Sequence, residues 1–272
     1  MDVAAGVGVE RTGAVARVVV GRPEVRGALD SAVRRGLLAA LRRVADDEGV
    51  RCVVLTGSGG AFSAGADLRE HAAALARRDE GERTGAGRDA DPGLDLDRVV
   101  AEEYAPLALV LAEMPKPVVA AVRGTAAGAG AALALACDLR LLAASARVDL
   151  GFTRVGLSPD TGASWWLPRL VGQGRARDLL LLPRPVGAQE CVRIGLATEA
   201  VADDALDARV EEVAQLLAAG PTAAYAATRR ALAFSATHDL PTSLAHEGAL
   251  VAEVGRRPEH RRAVEAFLHR RR

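Results

Sequence analysis

Apolar runs and polar breaks alternate along the first two-thirds of the chain, and their spacing switches between two periods. "AVARVVVGRPE" is a valine-rich run that ends at Gly21-Arg22-Pro23 and predicts a buried strand. Asp30 and Ser31 then stand where a helix cap is wanted. Val33, Leu37, Leu38, Leu41 and Val44 recur close to i, i+4 spacing, so an amphipathic helix is predicted through about Asp47. "RCVVLTG" predicts a short buried strand closed by glycine, and "SGGAFSAGADL" a loop of small residues. "KPVVAAVRG" predicts a third strand, entered through a proline, and "DLRLLAA" a fourth. Strands alternating with helices up to about residue 200 place the chain in the α/β class. From about Asp203 the strand patterns stop and four helical patterns follow. The expected division is therefore a core over 1–200 and a helical region over 201–272. Residues 77–97 are polar and rich in glycine and charge, and read as a loop or lid. No internal repeat of fixed period is visible.

Composition narrows the function. Half of the 272 residues are hydrophobic but only 3% are aromatic, so alanine, valine and leucine must fill the core. Lysine plus arginine and aspartate plus glutamate both number 35, which argues against a nucleic-acid partner or an anionic membrane. Lys116 is the only lysine. Cys52, Cys137 and Cys191 are widely spaced, with neither a disulfide framework nor a zinc pattern, and no metal site is expected. No apolar run is long enough to span a bilayer, and "MDVAAGVGVERTG" lacks the basic start of a signal peptide. A cytoplasmic protein is expected.

Two stretches are nearly free of side chains: "AFSAGADL" at 61–68 and "GTAAGAGAAL" at 124–133. Each follows a predicted strand and leads towards a helix. N–H groups at a helix start point outward with partial positive charge, and small residues let a ligand approach them. Two such loops can aim two N–H groups at one oxygen. Small residues also let helices pack tightly on a sheet, and composition alone does not decide between the two. Neither stretch is a P-loop or a dinucleotide fingerprint. Asp160, in "SPDTGASWWLPRL", raises a similar choice. It is either a turn residue that caps the next helix or an acid that moves protons.

"GRPEVRGALD", "VVLTGSGGAFSAGADL", "KPVVAAVRGTAAGAGAALALACDLRLLA" and "VGLSPDTGASWWLPRLVG" occur in that order. Together they resemble the crotonase family, the enoyl-CoA hydratase/isomerase superfamily, over about residues 8–270. The resemblance implies a crotonase-like spiral of ββα units with a C-terminal helical trimerisation region. It implies an acyl-CoA substrate, with coenzyme A present only as part of the thioester, and a homotrimer or a hexamer made of two trimers. It places the two oxyanion-hole amides at Ala66 and Ala129, and coenzyme A contacts at Arg26, Ala28, Ala64 and Leu68. Phe267 and Arg270 match positions that reach a neighbouring subunit's coenzyme A. Asp67 matches a residue that holds the loop.

Two positions depart from the hydratase pattern. Its catalytic glutamates align with Ala132 and Phe152, so neither carboxylate is present. Asp160 matches the lone acid of the branch containing Δ3,Δ2-enoyl-CoA isomerases and phenylacetyl-CoA-epoxide isomerases. The expected function is thus an isomerase with Asp160 as acid/base, and Phe152, Trp165 and Ala132 in the substrate pocket. Three alternatives stand beside it. One is hydration through other carboxylates, such as Glu70, Glu102 or Glu103. Another is aryl-CoA dehalogenation with Asp160 as nucleophile, although the histidine of that reaction aligns near Ala105. The third is a non-catalytic acyl-CoA-binding or assembly protein.

Overall fold

The computed structural model describes residues 2–4, 6–84 and 95–269. Its main sheet contains β1 (Asp2–Ala4), β2 (Val7–Thr12), β3 (Val15–Val20), β4 (Cys52–Gly57), β5 (Val118–Val122), β7 (Leu139–Ala143) and β10 (Glu199–Val201), in that spatial order. β1, β2 and β3 pair antiparallel, and β3 through β10 pair parallel. Parallel strands are covered on both faces, which is why "VVAAV" in β5 is apolar and buried at every position. A second sheet holds β6 (Thr125–Ala127), β8 (Arg147–Asp149) and β9 (Val186–Gly187).

One unit recurs along the chain. A strand enters the main sheet, a short extended segment follows in the second layer, and a helix returns. β4 leads through residues 63–66 to α2 (Leu68–Thr84), and β5 leads through β6 to α5 (Gly128–Ala136). β7 leads through β8 to α6 (Ala163–Val171). Bridges Leu29↔Ala66 and Ser63↔Ala126, and the pairing Ala127↔Asp149, lay the second-layer segments side by side. The helix starts consequently gather along one edge. The units differ in length, so this spiral leaves no fixed period in the sequence.

α1 (Ser31–Asp46) forms as predicted. The Asp30 carboxylate accepts from the Val33 amide at 2.8 Å, and Val33, Leu37, Leu41 and Val44 are buried. The lid expected over 77–97 is corrected at both ends. α2 continues to Thr84, and helix is present again in α3 (Leu96–Val99), in a π turn over Val100–Tyr104 and in α4 (Ala105–Glu113). The alanines, leucine and arginines of 68–84 are strong helix formers, and one internal glycine costs only about 1 kcal/mol. Residues 85–94 of that expected loop lie outside the described ones.

α7 (Gln173–Leu181) and α8 (Ala188–Arg193) lead to β10, and four helices follow: α9 (Leu206–Ala219), α10 (Thr222–Ser235), α11 (Leu240–Gly255) and α12 (Pro258–His269). α9 packs on the main sheet and buries Leu206, Val210, Ala214 and Ala218. The division expected at residue 201 therefore falls before a helix that belongs to the core. α10 is tied back by Arg229, whose Nε donates to Asp138 at 2.7 Å and whose Nη2 donates to the Leu111 carbonyl at 2.7 Å. Lys116, the single lysine, spends its ammonium on the carbonyls of Val44 and Asp47. Among the described residues no helix is long and apolar enough to cross a membrane.

Because the Arg229 guanidinium is largely enclosed and satisfies a carboxylate together with several main-chain carbonyls, Arg229→Met strands all of them. A stability loss of about 2–3 kcal/mol is expected in a denaturant titration. An unchanged midpoint would mean that α10 is held by packing alone.

Candidate active site

The site starts from a peptide plane. Leu29 donates to the Gly65 carbonyl at 2.8 Å, and the Asp67 amide donates back to the Leu29 carbonyl at 3.3 Å. In a trans peptide the C=O and the following N–H point in opposite directions. Fixing the Gly65 carbonyl on Leu29 therefore turns the Ala66 N–H away from the sheet, and among the described residues it meets no acceptor. Gly65 must be glycine for this geometry. Its φ is +83°, and a Cβ there would lie 2.6 Å from the Ala127 carbonyl and 3.3 Å from the Ala129 nitrogen. The same contact shows that the Ala66 turn lies against the start of α5. Ala129 is the second residue of α5, and the helix N-cap, Ala127, offers no side-chain acceptor. The Ala129 N–H thus belongs to the unspent first turn at the positive end of the helix. Two free amides from two units of the spiral are brought together.

The four residues expected to meet coenzyme A lie along the same edge. The Ala64 amide donates to the Arg26 carbonyl at 2.9 Å, which joins the two loops. Arg26 is exposed and holds a left-handed φ of 54°; Leu68 is exposed as well. Ala28 is less open than expected: its amide is used by the Val25 carbonyl and its carbonyl accepts from Arg22. Asp67 is a loop holder. It accepts from the Arg69 amide at the start of α2 and pairs with Arg22 at 3.0 Å. Burial works to raise its pKa, but these bonds outweigh burial and hold it below the usual carboxylate range.

Asp160 does not cap the helix that follows it. The N-cap of α6 is Gly162, without any side-chain bond, and only the Asp160 main-chain carbonyl serves the helix, accepting from the Ala163 amide. The carboxylate accepts from the Thr161 hydroxyl at 2.8 Å. Burial raises its pKa, against smaller opposing pulls from that hydroxyl and from the Arg34 charge. Such an acid exchanges protons more readily near neutral pH than an exposed aspartate does.

Phe152 is buried, three residues past Asp149, whose strand pairs with the segment entering α5. Ala132 is fully buried on α5. Trp165 is not brought to this group. With Trp166 it lines a cavity of about 720 Å³ between α4, α6 and α10, beside Leu135 and Cys137 at the C-terminal end of α5. That end is about 10 Å along the helix from Ala129. The Trp165 ring is 39% exposed and lies under the Arg169 guanidinium, 3.4 Å from the ring centre. Adjacent aromatics on a helix diverge, and the two indoles meet edge-on with ring centres 6.5 Å apart. Phe267 is exposed on α12, and Arg270 lies outside the described residues.

Arg34 lies outside the residues expected at the site from the sequence. It is 4% exposed and bonds Glu70 at 3.1 Å and Glu103 at 2.5 Å, and its Nη1 lies 3.4 Å from the Tyr104 hydroxyl. Its position was the available signal: it lies three residues before Leu37 on the apolar face of α1, where a charge must find partners.

A profile described as Enoyl-CoA hydratase/isomerase matches residues 10–272. The chain is 43% identical over 257 residues to the "Probable enoyl-CoA hydratase" of Rhodobacter capsulatus, covering 94% of this chain and 92% of that protein. It is 35% identical over 260 residues to the 1,2-epoxyphenylacetyl-CoA isomerase of Escherichia coli K12, covering 94% and 93%. The crystal structure of an enoyl-CoA hydratase from Bacillus anthracis superposes with a TM-score of 0.84 at 28% identity, covering 97% and 96%. The chain belongs to the enoyl-CoA hydratase/isomerase family, within the crotonase superfamily.

Two outcomes test this geometry. Gly65→Ala is expected to cost about 1–3 kcal/mol through its φ alone. It should also cost about 100-fold or more in turnover, as loss of an oxyanion donor does. Turnover that falls no further than the folded fraction would dissociate the amide from the chemistry. For Asp160 the sign is set by its raised pKa. Ionisation of the folded protein is penalised above that pKa, and the penalty vanishes below the unfolded value of about 3.9. Asp160→Asn should therefore melt above the wild type at neutral pH and lose the advantage as pH falls towards about 4. A capping aspartate would give a variant without this pH-dependent gain, since asparagine caps a helix as well as aspartate does.

Proposed function

We propose that this protein is an acyl-CoA isomerase that shifts a double bond through a thioester enolate. The observation that carries the reading is Asp160: a part-buried carboxylate with a raised pKa, released from capping duty, in a chain with Ala132 and Phe152 at the two hydratase carboxylate positions. With a β,γ-unsaturated thioester, the Asp160 carboxylate takes the α proton and the C–H electron pair moves into the conjugated enolate. The Ala66 and Ala129 amides hold the thioester oxygen while it carries the charge. Asp160, now protonated, returns the proton to the γ carbon, leaving the double bond between the α and β carbons. Atoms and charge balance on one acid. The two amides and this carboxylate supply every group the shift needs, and coenzyme A is the handle of the substrate. Arg26, Ala64 and Leu68 support the reading, since they lie along the edge where that handle would rest.

Hydration is the second reading, favoured by the printed name of the Rhodobacter capsulatus relative. It requires a carboxylate besides Asp160. Glu70 and Glu103 both bind Arg34, and Glu102 pairs with Arg98 at 3.0 Å. Burial tends to raise the Glu103 pKa, but its bonds to Ser31 and Arg34 outweigh that and keep it low. These groups are engaged rather than poised over water. Dehalogenation has no support at the histidine position, which falls near Ala105 at the start of α4, where "AEEYAPLAL" holds no histidine.

We also infer assembly into a homotrimer or a dimer of trimers. Leu240, Leu244 and Val251 on α11 and Leu232 on α10 are exposed, and exposed apolar faces of this kind pair with other copies. Native mass in solution checks this, and a monomer at working concentration would refute it.

The deciding experiment is proton exchange in D2O with 3-enoyl, 2-enoyl and phenylacetyl thioesters, comparing the wild type with Asp160→Asn. Deuterium is expected at the α or γ carbon in the wild type, with a loss of about 100-fold or more in the variant. Exchange that persists in the variant refutes Asp160 as the base. Conversion of a 2-enoyl thioester to a hydroxyacyl product would establish hydration instead.

A further inference from the structure

Arg34 connects the Ala66 loop to the helical stretches on either side of residues 85–94. Its Nη1 donates to the Leu29 carbonyl at 2.6 Å, the same oxygen that receives the Asp67 amide beside Ala66. That Nη1 also reaches Glu70 on α2 and the Tyr104 hydroxyl. Its Nε donates to Glu103 in the π turn, and its guanidinium lies 5.0 Å from the centre of the Tyr104 ring. Ser31 reinforces the cluster, its amide donating to Glu70 at 3.1 Å and its hydroxyl to Glu103 at 2.6 Å. Arg35 adds a third contact to Glu103 at 3.3 Å. Glu70 and Glu103 lie on the helical stretches that bracket residues 85–94. A π turn is less stable than the α-helix on either side and persists where contacts repay it. Here the contacts of Glu103 and Tyr104 with Arg34 do so.

We infer that Arg34 is a positioning residue that locks the Ala66 loop, the first turn of α2 and the π turn to one another, so that the direction of the Ala66 amide and the placement of these two helical stretches are set as one unit. The fork of the guanidinium is what allows this. It presents donors in several directions at once, which a lysine ammonium at the same place cannot reproduce. Arg34 binds the Leu29 carbonyl, which also receives the Asp67 amide next to Ala66, and two carboxylates, one on α2 and one in the π turn. The inference rests on the acyl-CoA reading above only in its kinetic part.

Amide hydrogen exchange and steady-state kinetics of the full-length protein test it together, with Arg34→Lys and Glu103→Gln as variants and Arg184→Gln, a surface pair, as control. Arg34→Lys is expected to speed exchange about tenfold or more in peptides covering 64–72 and 96–106 together. It should lower kcat about 10- to 100-fold with KM for the thioester within about twofold. Glu103→Gln should loosen both peptides by a smaller factor, and it serves alone if Arg34→Lys does not fold. Faster exchange confined to 96–106, with 64–72 unchanged, overturns the inference. So does a variant that is merely less stable, with kcat intact. If the wild type turns over no thioester, the isomerase reading fails, and the exchange data still decide whether Arg34 couples the two segments.

Discussion

The hydrogen bond from the Leu29 amide to the Gly65 carbonyl sets the direction of everything at the site. It is an ordinary main-chain bond of 2.8 Å, part of a single parallel bridge. Because the peptide is planar, it leaves the Ala66 N–H no choice but to face away from the sheet. The bond forms only if residues 63–66 run beside residue 29, and that placement follows from the spiral. Each ββα unit lays its second-layer segment beside the previous one, so consecutive helix starts must be neighbours. Gly65 allows the final approach, since any side chain there would meet the Ala127 carbonyl. The pair of free amides proposed as the oxyanion hole is thus a property of chain topology, and both of its donors are main-chain groups. This is why alanine at 129 is compatible with it: the donor is the N–H, and a methyl group does not remove it.

Charge stabilisation by backbone amides would leave side chains to handle protons, and Asp160 is the carboxylate proposed for that role. Asp160 sits in a turn whose αL residues, Thr161 and Gly162, start α6 without help from its carboxylate. The helix loses a cap worth about 1 kcal/mol, and the carboxylate is partly desolvated. Both are costs to the fold, and function at that acid is a reason for them to persist. Asp67 shows the contrast. It is closer in sequence to an oxyanion amide, yet its bonds to Arg22 and to the start of α2 hold it ionised and occupied. Proximity to the site does not make a carboxylate catalytic; an unspent and partly buried carboxylate is the better candidate.

Much of this was legible in the sequence, for identifiable reasons. The strands β3, β4 and β5 declare themselves because parallel strands are apolar on both faces, and α1 does so through its cap and its i, i+4 stripe. The small-residue loops were visible as composition, but whether they bind or merely pack depends on direction, and direction depends on the Leu29 bridge 36 residues away in the chain. The spiral was invisible as a repeat because its units share geometry without sharing length. The 77–97 stretch read as a loop because its charges mask helix propensity; charge on a helix face away from the core is no obstacle to helix. Trp165 was drawn to the pocket by its nearness to Asp160, and helix geometry sent it to the other end of α5.

Arg34 is the residue that sequence reasoning is least equipped to find. On a helical wheel it is an interruption of the apolar face, and the usual reading is a long side chain reaching solvent. Its burial follows from what surrounds it: the Leu29 carbonyl, two carboxylates and a tyrosine, contributed by three separate stretches of chain. A buried guanidinium costs several kcal/mol unless its donors are matched, and hydrophobic residues of equal volume often stabilise as well or better. Stability alone therefore does not account for a polar hub at this place. What the hub supplies is specificity of arrangement. It accepts one geometry of the Ala66 loop and one geometry of the π turn, and it ties each to the other. The main-chain bond that aims the amide is then backed by a charged anchor on the carbonyl of its donor residue, Leu29, so the two least regular segments around the site inherit the rigidity of α1.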